Sequence, residues 1–522
     1  MKKKGIFLMA AIAAFSGVCM LAGCSQNADN VKGTEGNLQT SSSSNENRSD
    51  NSNADGDSED KKKDSANADG KVKVIRADEI FTGDSGDLDK DIQLVDIRSS
   101  DKYIGWKNAQ GISGHIAGAV DFPASWFSYG ISDENMDMEF KRRHLDKEKK
   151  TVLYDDGEVS EDDYSLFEKA GFGQLYVLAG GIDKFAEKNK EKLERLEGYQ
   201  RYVSPQWVED LVNGKTPEGY SGKKYRIAEI YLPSEKDDYT ATGHIKGAVA
   251  LNADDINHIP GPRDVREYES IPIQKQLTFW NLPQDQDIKR ILEGAGIDID
   301  TTVILYGSEK ATTAANRAAF VMDYAGVKDI RLLNGGKPLW VAQNRELEKE
   351  SPSVEKVDFG TEVPQNPEIR FDYEKELKLI EDKGAVIASV RSFDEYLSKK
   401  SGYTYIDRAG EIKNSRFAYA GSDPYAMEDY RNIDNTMFNY KLIEERWKLW
   451  GITGDKLVSF HCGTGWRASE TYYIAKALGW KDVGVYVGGW YEWTKKQDAP
   501  VMKPGLPEDA PESTPQEYFY KK

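Results

Sequence analysis

The sequence predicts an α/β protein made of three tandem units, each with parallel strands covered by helices. Three observations carry this expectation. One pattern recurs three times at a domain-sized period; short, continuous apolar runs alternate with helix-periodic segments; and 522 residues are too many for one hydrophobic core. Unbroken apolar runs read as strands buried on both faces, which is the mark of a parallel sheet between helix layers.

The elements of the pattern follow in a fixed order. First comes an apolar strand ending in polar residues: QLVDIRSSDKYIG from Gln93, AVIASVRSFDEYLS from Ala385 and, more weakly, YRIAEIYLPSEKD from Tyr225. Next is a Gly-His-Ile turn into a second strand, GHIAGAVDFP from Gly114 and GHIKGAVALN from Gly243. Its third copy, GEIKNSRF from Gly410, departs at the His, the Gly and the Ala. A buried strand, a loop and a helix come third, starting at Thr151, Thr302 and Lys456. Each copy closes with an apolar strand and a Gly-Gly turn: QLYVLAGGIDKF, DIRLLNGGKPLW and DVGVYVGGWYEW. In the last helix Tyr472, Ile474, Ala475 and Leu478 fall at 3–4 spacing, which predicts one face against a sheet.

Outside the repeats, MKKKGIFLMAAIAAFSGVCMLAGCSQ has a cationic start and an apolar stretch ending in small residues, the composition of an export leader over residues 1–23. Leu21 to Cys24, LAGC, resembles a bacterial lipobox. That resemblance implies cleavage before Cys24 and a diacylglycerol on its sulfur, leaving the protein lipid-anchored on the extracytoplasmic face of the cell membrane. Two or more acyl chains hold a protein stably where one does not. An uncleaved anchor and a secreted protein are the alternatives. Residues 24–70 are rich in Ser, Asn, Asp and Gly and too apolar-poor to fold, so they read as a tether. The units are expected at 71–201, 202–355 and 366–497, with a Pro-rich tail over 498–522. A net charge of −18 argues against nucleic acid and anionic membrane surfaces as electrostatic partners.

The cysteines narrow the chemistry. Of Cys19, Cys24 and Cys462, the first leaves with the leader and the second is acylated, so one thiol remains. Cys462 stands second in HCGTGWRAS, after His461, at the end of a strand and the start of a helix, where open parallel sheets bind ligands. Gly463 and Gly465 permit a loop whose amides point inward, and the helix N-terminus and Arg467 add positive charge. These features favour the nucleophilic thiolate of Cys462. Thr464 offers a hydroxyl and Trp466 an apolar wall that limits substrate size. His461 reads as strand-end packing rather than a base, Trp490 and Trp493 as core or rim aromatics, and Arg391 as a buttress. At the position of Cys462 the other copies carry Asp155 and Gly307, neither of which can carry a sulfane sulfur, so the first two units are expected to be inactive and structural.

The strand ending in VDIRS, the GHIxGA turn and the strand–Cys loop–helix ending in Gly-Gly together resemble the rhodanese family of sulfurtransferases, over about residues 72–497. The resemblance implies a five-stranded parallel sheet flanked by helices in each unit, and activity in the third alone. It also implies a second cationic substrate contact at Lys413, although GEIKNS departs from the motif there. Cysteine phosphatases carry a similar loop with one more residue before the arginine. Here four residues separate Cys462 from Arg467, and the narrower ring suits the outer sulfur of a persulfide better than a phosphoryl group.

The expected reaction moves sulfane sulfur from thiosulfate or a similar small anion to a thiophilic acceptor through a Cys462 persulfide. No cofactor is implied, because metal-ligand spacing, a Walker loop and a dinucleotide fingerprint are all absent from the sequence. A non-catalytic sulfur- or partner-binding lipoprotein is the alternative, and a cysteine phosphatase the third reading.

Overall fold

The computed structural model describes residues 72–82, 87–233, 236–257, 261–262, 264–308 and 311–511. The leader, Cys24, the tether and the last residues of the tail lie outside them. Three five-stranded sheets follow one another, and every strand pair in them is parallel. In chain order the strands of the first are Val74–Ile75, Ile92–Asp96, Ala119–Asp121, Lys150–Tyr154 and Leu175–Leu178. Those of the second are Tyr202–Val203, Tyr225–Tyr231, Val249–Asn252, Thr302–Gly307 and Asp329–Leu333. The third comprises Arg370–Phe371, Ala385–Ser389, Arg416–Phe417, Leu457–His461 and Val483–Tyr486. All three share one spatial order: first, fifth, fourth, second, third. The strand that precedes each loop is thus central, and its residues are almost wholly buried in all three units.

Register aligns the units residue by residue. Tyr154 pairs with Asp96, Tyr306 with Glu229 and His461 with Ser389, so Asp155, Gly307 and Cys462 occupy one position. In the first unit the Tyr154 hydroxyl donates to Asp96 (2.9 Å) and accepts from the Ile116 amide (3.1 Å). The middle unit repeats this with Tyr306, Glu229 (2.7 Å) and Ile245 (3.0 Å). The third unit keeps the linkage and exchanges its partners. The strand acid becomes Ser389, the turn histidine becomes Glu411, and the tyrosine becomes His461. The Ser389 hydroxyl donates to Glu411 (2.6 Å), whose other oxygen lies 3.2 Å from His461 Nε2. The arginine of the polar triplet also recurs: Arg98 donates to the Gly114 carbonyl at 2.7 Å and Arg391 to that of Gly410 at 2.6 Å.

One expectation needs amending. The helix Trp466–Ala477 is buried nearly all round, not on one face. Its far side is covered by the middle unit's helix Thr312–Ala325, whose alanines permit close approach. Phe320 meets Tyr472 edge-on with centroids 5.1 Å apart, and the Tyr472 hydroxyl donates to Asp323 at 2.7 Å. Arg467, Ser469 and Glu470 on this helix are buried although polar, so hydropathy alone understates its burial.

A strap from the middle unit extends the contact. Val265–Ser270 and Ile273–Gln276 form short helical turns, and Tyr268 of the first, with Phe279 and Trp280 just after the second, joins the third unit's core. Trp280 stacks on Tyr405 with centroids 4.8 Å apart, and the Val265 amide donates to the Thr404 carbonyl (3.0 Å). The first unit meets the third through Asn439, which donates to Asp121 (2.8 Å) and to the Tyr103 hydroxyl (2.9 Å). Part of the tail packs on the third unit, where Asp509 pairs with Arg416 (2.6 Å).

Candidate active site

The strand Leu457–His461 delivers Cys462 to its C-terminal end, and the helix Trp466–Ala477 begins four residues later. Gly465, at φ 82°, makes the left-handed turn between them, and its amide donates to Cys462 Sγ at 3.1 Å. The Gly-Gly turn explains how the loop keeps its shape. The amides of Trp490 and Tyr491 donate to the carbonyls of Cys462 (2.8 Å) and Gly463 (2.9 Å), pulling both carbonyls to the outside of the loop. A Cβ on Gly489 would stand 2.6 Å from each of those oxygens, so only glycine fits. The first unit keeps the same clasp, from Ile182 and Asp183 to the carbonyls of Asp155 and Asp156, both at 2.9 Å. There the loop is tied down by its own acid, with Asp156 paired to Lys102 (2.5 Å) and Arg98 (3.3 Å).

Cys462 is fully buried and is the free thiol among the described residues. The Tyr403 ring lies close against Gly463, where an added Cβ would fall 2.1 Å from a ring carbon. Thr464 is nearly buried and Trp466 half-buried at the helix start. The structure thus brings Cys462, Gly463, Thr464, Gly465, Trp466 and Arg467 together in one loop and helix terminus.

Two cations nominated from the sequence behave otherwise. Arg467 forms a buried fork-to-fork pair with Glu395, both contacts at 3.1 Å, and only its Nε lacks a partner among the described residues. Its charge is therefore already matched within the unit. Burial alone would raise the Glu395 carboxyl, but Arg467 and Arg391 override it and hold it down at about 2. Lys413 projects to the surface, pairs with Glu381 at 2.9 Å, and makes no contact with the loop among the described residues. The substitutions in GEIKNS are not the cause: Lys246, at the same place in the intact GHIKGA turn, is exposed as well, and the turn residues His115, His244 and Glu411 are all buried. Arg391 is the expected buttress, held by Glu395 (3.2 Å) and Glu411 (3.3 Å). Trp490 and Trp493 are core, each spending its indole N–H on a carbonyl. His461 is more than packing, since it forms a buried pair with Glu411 directly before Cys462.

Sequence reasoning missed Glu395, Tyr403 and two residues of the middle unit, Asn257 and Arg317. Arg317 Nη1 reaches the Gly465 carbonyl and the Ser469 hydroxyl, both at 3.5 Å, while Nε donates to Asn257 at 3.1 Å. A signal existed: Arg317 is a lone cation in the apolar run TTAANRAAFVMDYA.

A family model described as rhodanese-like domain matches residues 85–188, 223–343 and 373–496. The chain belongs to the rhodanese family. Among rhodaneses, it is 36% identical over 414 residues to the thiosulfate sulfurtransferase YnjE of Escherichia coli K12, covering 78% of this chain and 88% of that one. Among solved structures it is similar to an anaerobic ergothioneine biosynthesis enzyme from Chlorobium limicola in complex with trimethyl histidine. That match has a TM-score of 0.72 at 31% identity and covers 80% of this chain and 96% of the other. A variant of EanB with ergothioneine covalently linked to a cysteine persulfide matches with a TM-score of 0.74 at 30% identity, covering 83% and 99%. These rhodanese-fold relatives include both a thiosulfate enzyme and one whose bound molecule is a trimethylated histidine.

Proposed function

We propose that the third unit is a sulfurtransferase working through a Cys462 persulfide, with thiosulfate or a similar sulfane donor and a thiophilic acceptor. The observation that carries this reading is Cys462 Sγ receiving the Gly465 amide inside a clasped loop at the end of a central parallel strand. The thiolate attacks the outer sulfur of thiosulfate. The donor's S–S bond breaks, sulfite leaves with the bonding pair, and the new S–S bond is the persulfide. An acceptor's lone pair then takes the outer sulfur and returns Cys462 as thiolate. The Gly465 amide is placed to hold charge on the sulfur in both steps. No second cysteine stands among the described residues to resolve the persulfide, so the acceptor is external.

Intact-mass measurement after thiosulfate treatment tests this. A gain of one sulfur atom, lost in Cys462→Ser, supports it. An unmodified wild-type mass points instead to a binding protein, and aryl phosphate turnover exceeding thiocyanate formation from cyanide points to a phosphatase. Carriage on the membrane through Cys24 belongs to the same proposal. Cys24→Ser is expected to move the protein from the membrane to the soluble fraction.

A second acceptor class is suggested by the likeness to an ergothioneine biosynthesis enzyme in complex with trimethyl histidine. Formation of a thione from trimethyl histidine and polysulfide would place the acceptor at carbon rather than at a thiophile.

A further inference from the structure

Three guanidinium groups surround the Cys462 loop, and their partners differ in kind. Arg391 lies between Glu395 and Glu411, and Arg467 is matched by Glu395. Arg317, only 1% exposed, has no carboxylate partner among the described residues. Its contacts are the Asn257 amide oxygen and the long approaches to Gly465 and Ser469, and its Nη2 has no partner among the described residues. Asn257 Nδ2 is likewise buried and unpartnered among them. Because Asn257 Oδ1 accepts from Arg317, the amide orientation is fixed and the orphan atom is a donor. Two unsatisfied donors, one charged, thus stand side by side against the loop, and a third, Arg467 Nε, lies two residues beyond Gly465. Buried donors without acceptors are costly, and a buried cation without an anion more so. Burial pulls the Arg317 guanidinium below its ordinary range, while Cys462 acts in the opposite sense. What such a place lacks is an anion with several acceptor oxygens.

We propose that Arg317, with Asn257, is the cation that holds the oxyanion end of the sulfur donor at Cys462, so that the middle unit supplies half of the third unit's binding site. The ligand class is a small sulfur oxyanion, a sulfonate-ended donor or the sulfite it releases. This rests on the sulfurtransferase reading for the identity of the donor, but the anion site itself is testable without turnover.

The experiment is calorimetric titration of thiosulfate and of sulfite into the full chain carrying Cys462→Ser, which binds but cannot react. Adding Arg317→Gln is expected to weaken binding roughly ten- to hundredfold, the loss of one charge-assisted contact. Asn257→Asp is the second variant, nearly isosteric and giving Arg317 a counter-ion of its own. It is expected to fold normally and weaken binding comparably. Unchanged affinity in Asn257→Asp, or in a folded Arg317→Gln protein, overturns the proposal, as does absence of anion binding by the parent. Persulfide formation is scored separately on wild-type protein. Sulfur uptake without Arg317-dependent binding sinks this inference alone, and Arg317-dependent binding without sulfur uptake sinks the sulfurtransferase reading alone.

Discussion

His461 Nε2 stands 3.2 Å from Glu411 Oε1, and neither side chain reaches solvent. The same register position holds Tyr154 and Tyr306 in the other two units, each hydrogen-bonded to an acid on the neighbouring strand. In the third unit the acid has moved from strand to turn, and the strand end carries a histidine. Cys462 therefore follows a buried charged network in place of a tyrosine hydroxyl. Burial would push the Glu411 carboxyl up, yet His461 and Arg391 hold it below the ordinary carboxylate range.

Breaking that network should be expensive. Glu411→Gln leaves His461 and Arg391 without one carboxylate, and removing one partner of a buried pair typically costs about 3–5 kcal/mol. Urea unfolding is expected to show a loss of that order, with a weaker acid dependence. The depressed Glu411 contributes stability above its unfolded pKa that is lost as pH falls, and the variant lacks this contribution. A loss under about 1 kcal/mol would mean the network is not anchoring the strand end.

Arg467 is predicted to act as a structural fork more than as a free charge. Arg467→Lys keeps the charge but loses the bidentate match to Glu395. The thermal midpoint should fall and sulfur loading of Cys462 should slow together. Glu395→Gln should produce the same pairing of defects, and normal stability in either variant would contradict it.

Gly463→Ala addresses the wall of the loop. The new methyl would collide with the Tyr403 ring, so persulfide formation should drop sharply while far-UV circular dichroism stays unchanged. Since the two residues touch, Gly463→Ala combined with Tyr403→Ala should be less impaired than the sum of the single changes. Strict additivity would show that Tyr403 does not constrain Gly463.

A pH effect is expected far from the thiol. Burial pushes the Glu376 carboxyl up to about 8, with Ser459, which donates to it at 2.5 Å, and Lys375 opposing only in part. Between its ordinary value of 4.5 and about 8, the folded chain keeps a proton that the unfolded chain has shed. Stability therefore falls as pH rises through that window. Glu376→Gln removes the dependence, so melting curves from pH 5 to 9 should be flatter for the variant. Parallel profiles would refute the assignment.

Much of this was readable in the chain. The three copies, the common sheet and Cys462 depend on local runs and turns, which a sequence displays directly. Glu395 and Tyr403 were not readable, because they reach the loop through tertiary contacts 72 residues apart in one case and across a close ring-on-glycine contact in the other. Arg317 and Asn257 come from another unit altogether: the lone cation in its apolar run marks Arg317 as unusual, but nothing local says that its contact lies 148 residues away. Lys413 shows the opposite failure. The family resemblance placed it at the site, whereas that position of the turn faces the surface, as Lys246 also does in the intact GHIKGA copy.

Tandem copies of one fold are usually regarded as separable modules, and the helix Trp466–Ala477 argues that these are not. Its outward side is finished by Ala-rich surface and Asp323 from the preceding unit, and the roof over Tyr405 is Trp280 from the same source. A fragment beginning near Arg370 would contain every residue of the thiol loop and still expose an apolar flank. Excision should give a sticky, poorly behaved piece. The third unit is then completed by a neighbour that carries Gly307 where it carries Cys462 and serves as its wall.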